Sequence, residues 1–354
     1  MTESQHLLED LLRIPSPTYG EKAKTDFLVS WITKMIPQIQ LDRVGNNIIG
    51  TYNPHHKKII GFVGHTDTVP AFFTPYKRDD RLYGSGASDM QAGLASFLSF
   101  IRINIDELTS RHGIQIILYD KEEGTSLKEN GLNELIQERK SYLEQMDLAI
   151  VAEPTNNTIQ LGCVGSIHHT VNIHGKAAHS ARPWNGENAL YKSIPLIQRI
   201  ASLEPLKQTV FGVDFYDVID ITQSQSTPGR TTVPEWWEAN INYRFSPNHS
   251  LEEAIKYVET VVNSTRIEGL ELSMLDAVPA GNVIPHSILD KAKELLDIEA
   301  KQAWTDVAQL TSLGICAFNF GPGRQDQAHL PNECVNLNDM VSYEKYLAQL
   351  LLTN

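Results

Sequence analysis

Hydrophobic residues in this chain follow two rhythms, and the change comes near Gly165. Before that point, unbroken apolar runs at 59–64, 114–119 and 148–152 alternate with stripes whose members lie three and four residues apart. Leu7, Leu8, Leu11 and Leu12 predict a first helix, stopped by Pro15-Ser16-Pro17. Phe27, Leu28, Trp31 and Met35 predict a second, and a long stripe from Met90 through Leu94, Phe97, Leu98 and Ile101 to Ile105 a third that starts directly after Asp89. Unbroken apolar runs mark strands buried on both faces. Strands of that kind alternating with helices predict an α/β fold, a mainly parallel sheet with helices on both faces. A further run at 315–321 returns to that sheet.

After Gly165 the period drops to two. Ile167, His169, Val171 and Ile173 alternate with His168, Thr170, Asn172 and His174, as in a sheet with one wet face. A helical stripe follows at Leu190, Ile194, Ile197 and Ala201, then strand patterns near 215–222 and 237–245. Ser250 and Glu253 form a capping box ahead of a helix with Ile255, Val258 and Val262, and Leu270, Leu272 and Met274 close the block. That order is β-α-β-β-α-β, the split unit of ferredoxin-like domains. The pattern predicts an α+β domain over 165–277 inserted into a first domain formed by 1–164 and 278–354.

Composition narrows the partners. The net charge of −13 argues against nucleic acid or an anionic membrane. No apolar run approaches the length of a membrane span, and Met1 to Asp10 lacks the basic and apolar regions of a secretory signal. Cys163, Cys316 and Cys334 are odd in number and widely spaced, so no disulfide framework is implied. The expected location is the cytoplasm.

The apolar runs of the first domain each end in a residue able to bind metal or move a proton. His65 and Asp67 follow the first, Glu122 and Glu123 the second, Glu153 the third, and His329 the last. In open α/β sheets the ligand site lies beyond the carboxyl ends of the strands. Alone, His-x-Asp is a weak signal, and Glu122-Glu123 reads as a solvated turn. Convergence on one sheet edge changes both readings. Asp67 stands where a carboxylate can orient the His65 imidazole. Glu153 follows a buried run, where an acid is costly unless it is paired or ligating. Asp89 follows Gly84-Ser85-Gly86, yet a dinucleotide loop would need glycine at that position, and an acid there repels phosphate. The set supplies His65, His329, Asp89, Glu123 and Glu153 as ligands, with Asp89 shared by two cations and Glu122 free as general base. Nitrogen and oxygen donors suit two zinc ions, with cobalt or manganese as substitutes. The chemistry predicted is metal-assisted amide hydrolysis. HExxH, GxSxG and phosphate-loop motifs are absent.

At these residues the chain resembles the dinuclear zinc aminoacylase/carboxypeptidase superfamily, peptidase family M20. The likeness is carried by Gly64-His65-Thr66-Asp67-Thr68-Val69-Pro70, Gly84-Ser85-Gly86-Ala87-Ser88-Asp89-Met90, Glu122-Glu123-Gly124, Glu153-Pro154-Thr155 and Ala328-His329. It implies His65 and Glu153 on one zinc, Glu123 and His329 on the other, Asp89 bridging, and a cis peptide at Asp89-Met90. The inserted block resembles the family's lid and dimerisation domain. Its Gly175-Lys176-Ala177-Ala178-His179-Ser180 implies that His179 stabilises the oxyanion in the active site of a homodimer partner.

Within the superfamily the stretches 179–189 and 304–308 are most similar to succinyl-diaminopimelate desuccinylases of the shorter, actinobacterial type. That likeness implies hydrolysis of N-succinyl-LL-2,6-diaminopimelate, with Arg182, Arg230, Arg244 and Thr305 as candidates for binding a substrate rich in carboxylates. One departure is clear: Thr231-Thr232-Val233-Pro234 stands where the family has Asn-Val-x-Pro. The competing readings are another N-acyl-amino-acid deacylase or dipeptidase of the superfamily, and a noncatalytic binding protein on the same sheet.

Overall fold

The computed structural model describes residues 1–354 apart from Pro54, Lys57, Ala71 and Asn354. The chain forms two compact units, one of Met1–Gly162, Val283–Glu299 and Gln309–Asn354, the other of Cys163–Asn282 and Ala300–Ala308.

The first unit is built on an eight-stranded sheet. Its order is Gln40–Val44, Asn47–Tyr52, Gly113–Tyr119, Ile59–His65, Leu148–Val151, Cys316–Asn319, Ile159–Leu161 and Ile298–Ala300. The four central strands, Gly113–Tyr119 through Cys316–Asn319, are parallel, and antiparallel neighbours flank them on both sides. Every residue of Ile59–His65, Gly113–Tyr119 and Leu148–Val151 is buried, which explains their unbroken apolar character. On one face Phe62 meets Phe97 and Phe100 of helix Ala92–Arg111, with ring centroids 5.7 and 6.5 Å apart. On the other, a side chain at Gly61 would collide with Met146. The chain leaves Ile59–His65 toward one edge of the sheet and Leu148–Val151 toward the other. The strand order thus reverses between these adjacent strands, and their carboxyl ends are where a fold of this kind binds its ligand.

Two local expectations need correction. The helix expected to start directly after Asp89 becomes regular only at Ala92, because Asp89 and Met90 have non-helical torsions and the peptide joining them is cis. Helix Lys22–Met35 buries Lys24, Thr25, Leu28 and Ile32, a stripe turned away from the predicted Phe27, Trp31 and Met35. A small sheet of Tyr76–Arg78, Arg81–Tyr83 and Cys334–Asn336 was too short to show a period. Pairing of Cys334 with Tyr83 brings the segment after His329 against the loop that carries Asp89.

The second unit is an antiparallel sheet in the order Leu206–Val210, Val213–Ser226, Trp236–Phe245, Gly165–His174, Leu270–Val278. Without the edge strand Leu206–Val210, the remaining four have the 4-1-3-2 order of a ferredoxin-like domain. Strand Trp236–Phe245 alternates strictly, and Trp237, Ala239, Ile241, Tyr243 and Phe245 face inward. That face joins Ala189, Leu196 and Ile200 of helix Ala189–Ala201, not the predicted and exposed Leu190, Ile194, Ile197 and Ala201, and Val258 and Val262 of helix Leu251–Asn263 in one core. The capping box at Ser250 and Glu253 is present. Segment Ala300–Ala308, assigned by pattern to the first domain, packs with this unit. The Lys301 carbonyl accepts from the Val164 N–H, Gln302 bonds both main-chain groups of Tyr216, and the Trp304 indole donates to the Pro279 carbonyl.

Candidate active site

His65 ends its strand and is 1 % exposed; Asp67, two residues on, is fully buried. The Asp67 carboxylate accepts the N–H of Glu122 at 3.1 Å, the N–H of Glu123 at 2.9 Å and the Thr18 hydroxyl at 3.1 Å. Asp67 thus fastens the loop leaving the neighbouring strand Gly113–Tyr119. The His65 ring is anchored on the same residue, with Nδ1 3.1 Å from the Asp67 carbonyl and 3.5 Å from its carboxylate. With acceptors facing Nδ1, the neutral ring keeps its proton there and leaves the Nε2 lone pair for a ligand. Nε2 points at Asp89 Oδ1, 3.2 Å away.

Asp89, Glu123 and His329 complete the gathering. Ligand atoms of His65, Asp89 and Glu123 lie within 4.8 Å of one another. His329 Nε2 is 2.9 Å from Glu123 Oε2 and 3.8 Å from Asp89 Oδ2. His329 adopts φ +64°, a left-handed conformation uncommon outside glycine, at the turn that aims its ring. A tetrahedral zinc with bonds of about 2.0–2.2 Å sets its ligands roughly 3.3 Å apart. The spacings here fit that scale, and the donor set of imidazole nitrogen and carboxylate oxygen fits that metal.

The field at the site follows from this crowding. Burial alone would push the His65 imidazole down, but its hydrogen bonds with Asp67 and Asp89 and the charge of Glu122 hold it well above the ordinary value. Burial pushes Asp67 up, yet the bond with His65 and the two loop amides outweigh it and keep the acid below the usual range. The hydrogen bond to Glu123 lifts His329 to about 9, against the burial of its ring. Two imidazoles are therefore held in their protonated form among carboxylates, where divalent ions would replace the protons.

Glu122 lies next to this group and is partly exposed. Glu153 is 6 % exposed, two residues beyond strand Leu148–Val151, which pairs directly with Ile59–His65. Close packing fixes its main chain: a side chain at Gly321 would strike the Glu153 carbonyl, and one at Gly93 the Ala152 carbonyl.

The remaining candidates belong to the second unit. His179 is exposed and pairs, through a two-residue bridge, with Thr232. Arg182 and Arg230 are exposed. Arg244 is half-buried, donates to Asn242 Oδ1 at 3.0 Å, and is held below its usual value by burial alone. Thr305 is 3 % exposed, and its hydroxyl has no hydrogen-bond partner among the described residues.

Three residues at the site escaped the sequence reading. Thr18 ties the turn after Pro17 to Asp67. Glu333 is 2 % exposed and accepts main-chain N–H groups from the Asp89 loop. Lys24 is fully buried, its ammonium pushed down to about 7 by burial against the pull of Asp67 and Glu333. Its spacing of four from Leu28 was the available signal.

Comparison with known proteins places this geometry. The chain matches the family model "Peptidase family M20/M25/M40" over residues 61–353. It is 31 % identical to the succinyl-diaminopimelate desuccinylase of Corynebacterium glutamicum over 98 % of this chain and 95 % of that protein. Among solved structures, a tripeptidase of Staphylococcus aureus aligns over 99 % of this chain and 97 % of its own, with TM-score 0.81 and 17 % identity. The YXEP protein of Bacillus subtilis, described as a dinuclear metal-binding peptidase, aligns over 99 % and 96 % with TM-score 0.71 and 14 % identity. With its strand-end cluster of histidine, aspartate and glutamate, the chain belongs to peptidase family M20/M25/M40 and is a metal-dependent hydrolase.

Proposed function

We propose that this protein is a two-zinc amidohydrolase that cleaves N-succinyl-LL-2,6-diaminopimelate to succinate and LL-diaminopimelate, a step toward lysine and cell-wall precursors. The observation that carries the reading is the gathering of His65, Asp89, Glu123 and His329 with Glu122 beside it. In this reading His65 and Glu153 would hold one ion, Glu123 and His329 the other, and Asp89 would serve both. Bound there, the ions supply a positive centre that acidifies water and polarises a carbonyl. Glu122 takes the proton of the attacking water and passes it to the departing nitrogen, so the C–N bond breaks and an amine leaves. Asp67 keeps the His65 ring in its tautomer and the Glu122 main chain in place.

The second unit serves as lid and dimerisation domain. Helix Ala189–Ala201 buries Ala189, Ser193, Leu196 and Ile200, while Leu190, Tyr191, Ile194 and Ile197 stand 37–69 % exposed along its other side. An apolar stripe of that kind supports a homodimer. Pairing would let His179 of one copy stabilise the oxyanion formed in the other. Arg244, a half-buried cation on which no carboxylate acts among the described residues, supports recognition of an acidic substrate. The three cysteines are free and buried, which supports a reducing compartment such as the cytoplasm.

The Corynebacterium relative supports the choice of acyl group. A specific observation favours the alternative, another N-acyl-amino-acid deacylase or dipeptidase: Thr232, in the departed Thr-Thr-Val-Pro motif, pairs directly with His179. Assay of zinc-loaded protein on succinyl-diaminopimelate and on acetylated amino acids decides between them. Good turnover of an acetyl substrate with negligible release of succinate rejects the desuccinylase.

A further inference from the structure

Glu333 collects donors from one loop. Its Oε2 accepts the Gly86 N–H at 2.7 Å, and its Oε1 accepts those of Ser88 and Asp89 at 2.8 and 2.9 Å. Its own carbonyl accepts the Gly84 N–H at 3.1 Å. A second tie runs beside it, since Ser88 Oγ donates to the Arg324 carbonyl at 2.9 Å and accepts the Arg324 N–H at 2.6 Å. Buried amides need acceptors, and a carboxylate makes the stronger bonds. Glu333 also sits four residues after His329, beyond the same turn. One buried acid therefore joins the loop that carries Asp89 to the segment that carries His329.

We infer that Glu333 is a positioning residue for the metal centre, with an unequal effect on the two ions; the inference rests on the two-ion reading above. His65 ends one central strand and Glu153 follows the strand paired with it, so the sheet itself sets their separation. Asp89 and His329 stand on loops, and Glu333 links those loops. Removing its carboxylate would loosen the ion held by Glu123 and His329 more than the ion held by His65 and Glu153. The first loses the tie between both its loops, whereas the second is reached only through Asp89. Groups behind metal ligands typically contribute about 10–100-fold in metal affinity.

The test uses full-length, metal-free protein titrated with Co2+, followed by calorimetry and by the visible absorption of the bound ion. Glu333→Gln is introduced into the unaltered protein, into Glu153→Ala, where the Glu123–His329 ion remains, and into His329→Ala, where the His65–Glu153 ion remains. Expected is a loss of about 10–100-fold with Glu153→Ala and less than about threefold with His329→Ala. Equal losses in both backgrounds, or none in either, overturn the inference. Glu333→Gln keeps one oxygen for Ser88 and Asp89, so it retains the fold where Glu333→Ala fails; circular dichroism checks this. Fewer than two ions in the unaltered protein removes the two-ion reading and this inference with it, a result separate from unaltered affinity in the Glu333 variants.

Discussion

The two sheets use their residues in opposite ways. In the first unit the central strands are buried on both faces, which leaves polar chemistry to their ends and the loops beyond, where His65, Asp89, Glu123 and His329 gather. In the second unit one face is core and the other carries partly exposed polar residues. His168, Asn240, Asn242 and Arg244 line that open face in a hydrogen-bonded row. A parallel sheet concentrates function at an edge, whereas a one-sided antiparallel sheet spreads it over a surface. Residues at strand ends share the rigidity of the core, whereas residues on the outer face of a one-sided sheet are less tightly packed.

The largest effect expected from breaking this arrangement is on catalysis. Glu122→Gln should lower turnover roughly a hundred- to ten-thousandfold while both ions stay bound, as metal analysis beside the assay would show. Loss of metal together with activity assigns Glu122 to binding instead. Next come the two kinds of strand. Phe62→Ala, inside the doubly covered sheet, should cost about 3–5 kcal/mol in chemical denaturation. Asn240→Ala, on the open face, should cost about 1 kcal/mol; comparable losses would erase the contrast. A smaller effect is expected at Arg244, where alanine should raise KM for an acidic substrate by about tenfold with kcat little changed. A fall in kcat alone speaks against a binding role.

The smallest effect concerns Lys24, a charge buried in the helical cover of the first unit. Its ammonium is lowered from 10.5 to about 7 in the folded chain. Between those values the unfolded chain holds the extra proton, so stability rises with pH; the penalty is full below about 7 and fades toward 10.5. Lys24→Met should therefore raise the unfolding midpoint of metal-free protein at about pH 6, and much less at about pH 9.5. An equal gain at both, or a loss at the lower, contradicts the assignment of burial as the cause.

Legibility in the sequence tracked the same contrast. Runs such as 114–119 and the alternation of 237–245 declared both sheets, because burial on two faces or on one writes a distinct period. Strand ends pointed to His65, Glu123 and Glu153, while Asp89 was picked out by the glycines before it and His329 by the loop after the last strand. What stayed hidden depended on three-dimensional neighbours. Glu333 precedes a strand of three residues, too short for any rhythm, and its partners lie more than two hundred positions earlier. Lys24 hid because a flexible side chain on an apolar stripe reads as surface until the packing is seen. Segment Ala300–Ala308 was misassigned because its links to Val164, Tyr216 and Pro279 leave no local pattern.

The tie between Glu333 and the Asp89 loop also bears on how such a protein matures. A nascent chain displays His65, Asp89 and Glu123 long before His329 and Glu333 leave the ribosome. Until then the early side chains lack the turn that brings His329 within 2.9 Å of Glu123 and the acid that fastens the Asp89 loop. A chain interrupted before that turn would therefore carry neither His329 nor the acid that gathers the Gly86, Ser88 and Asp89 amides.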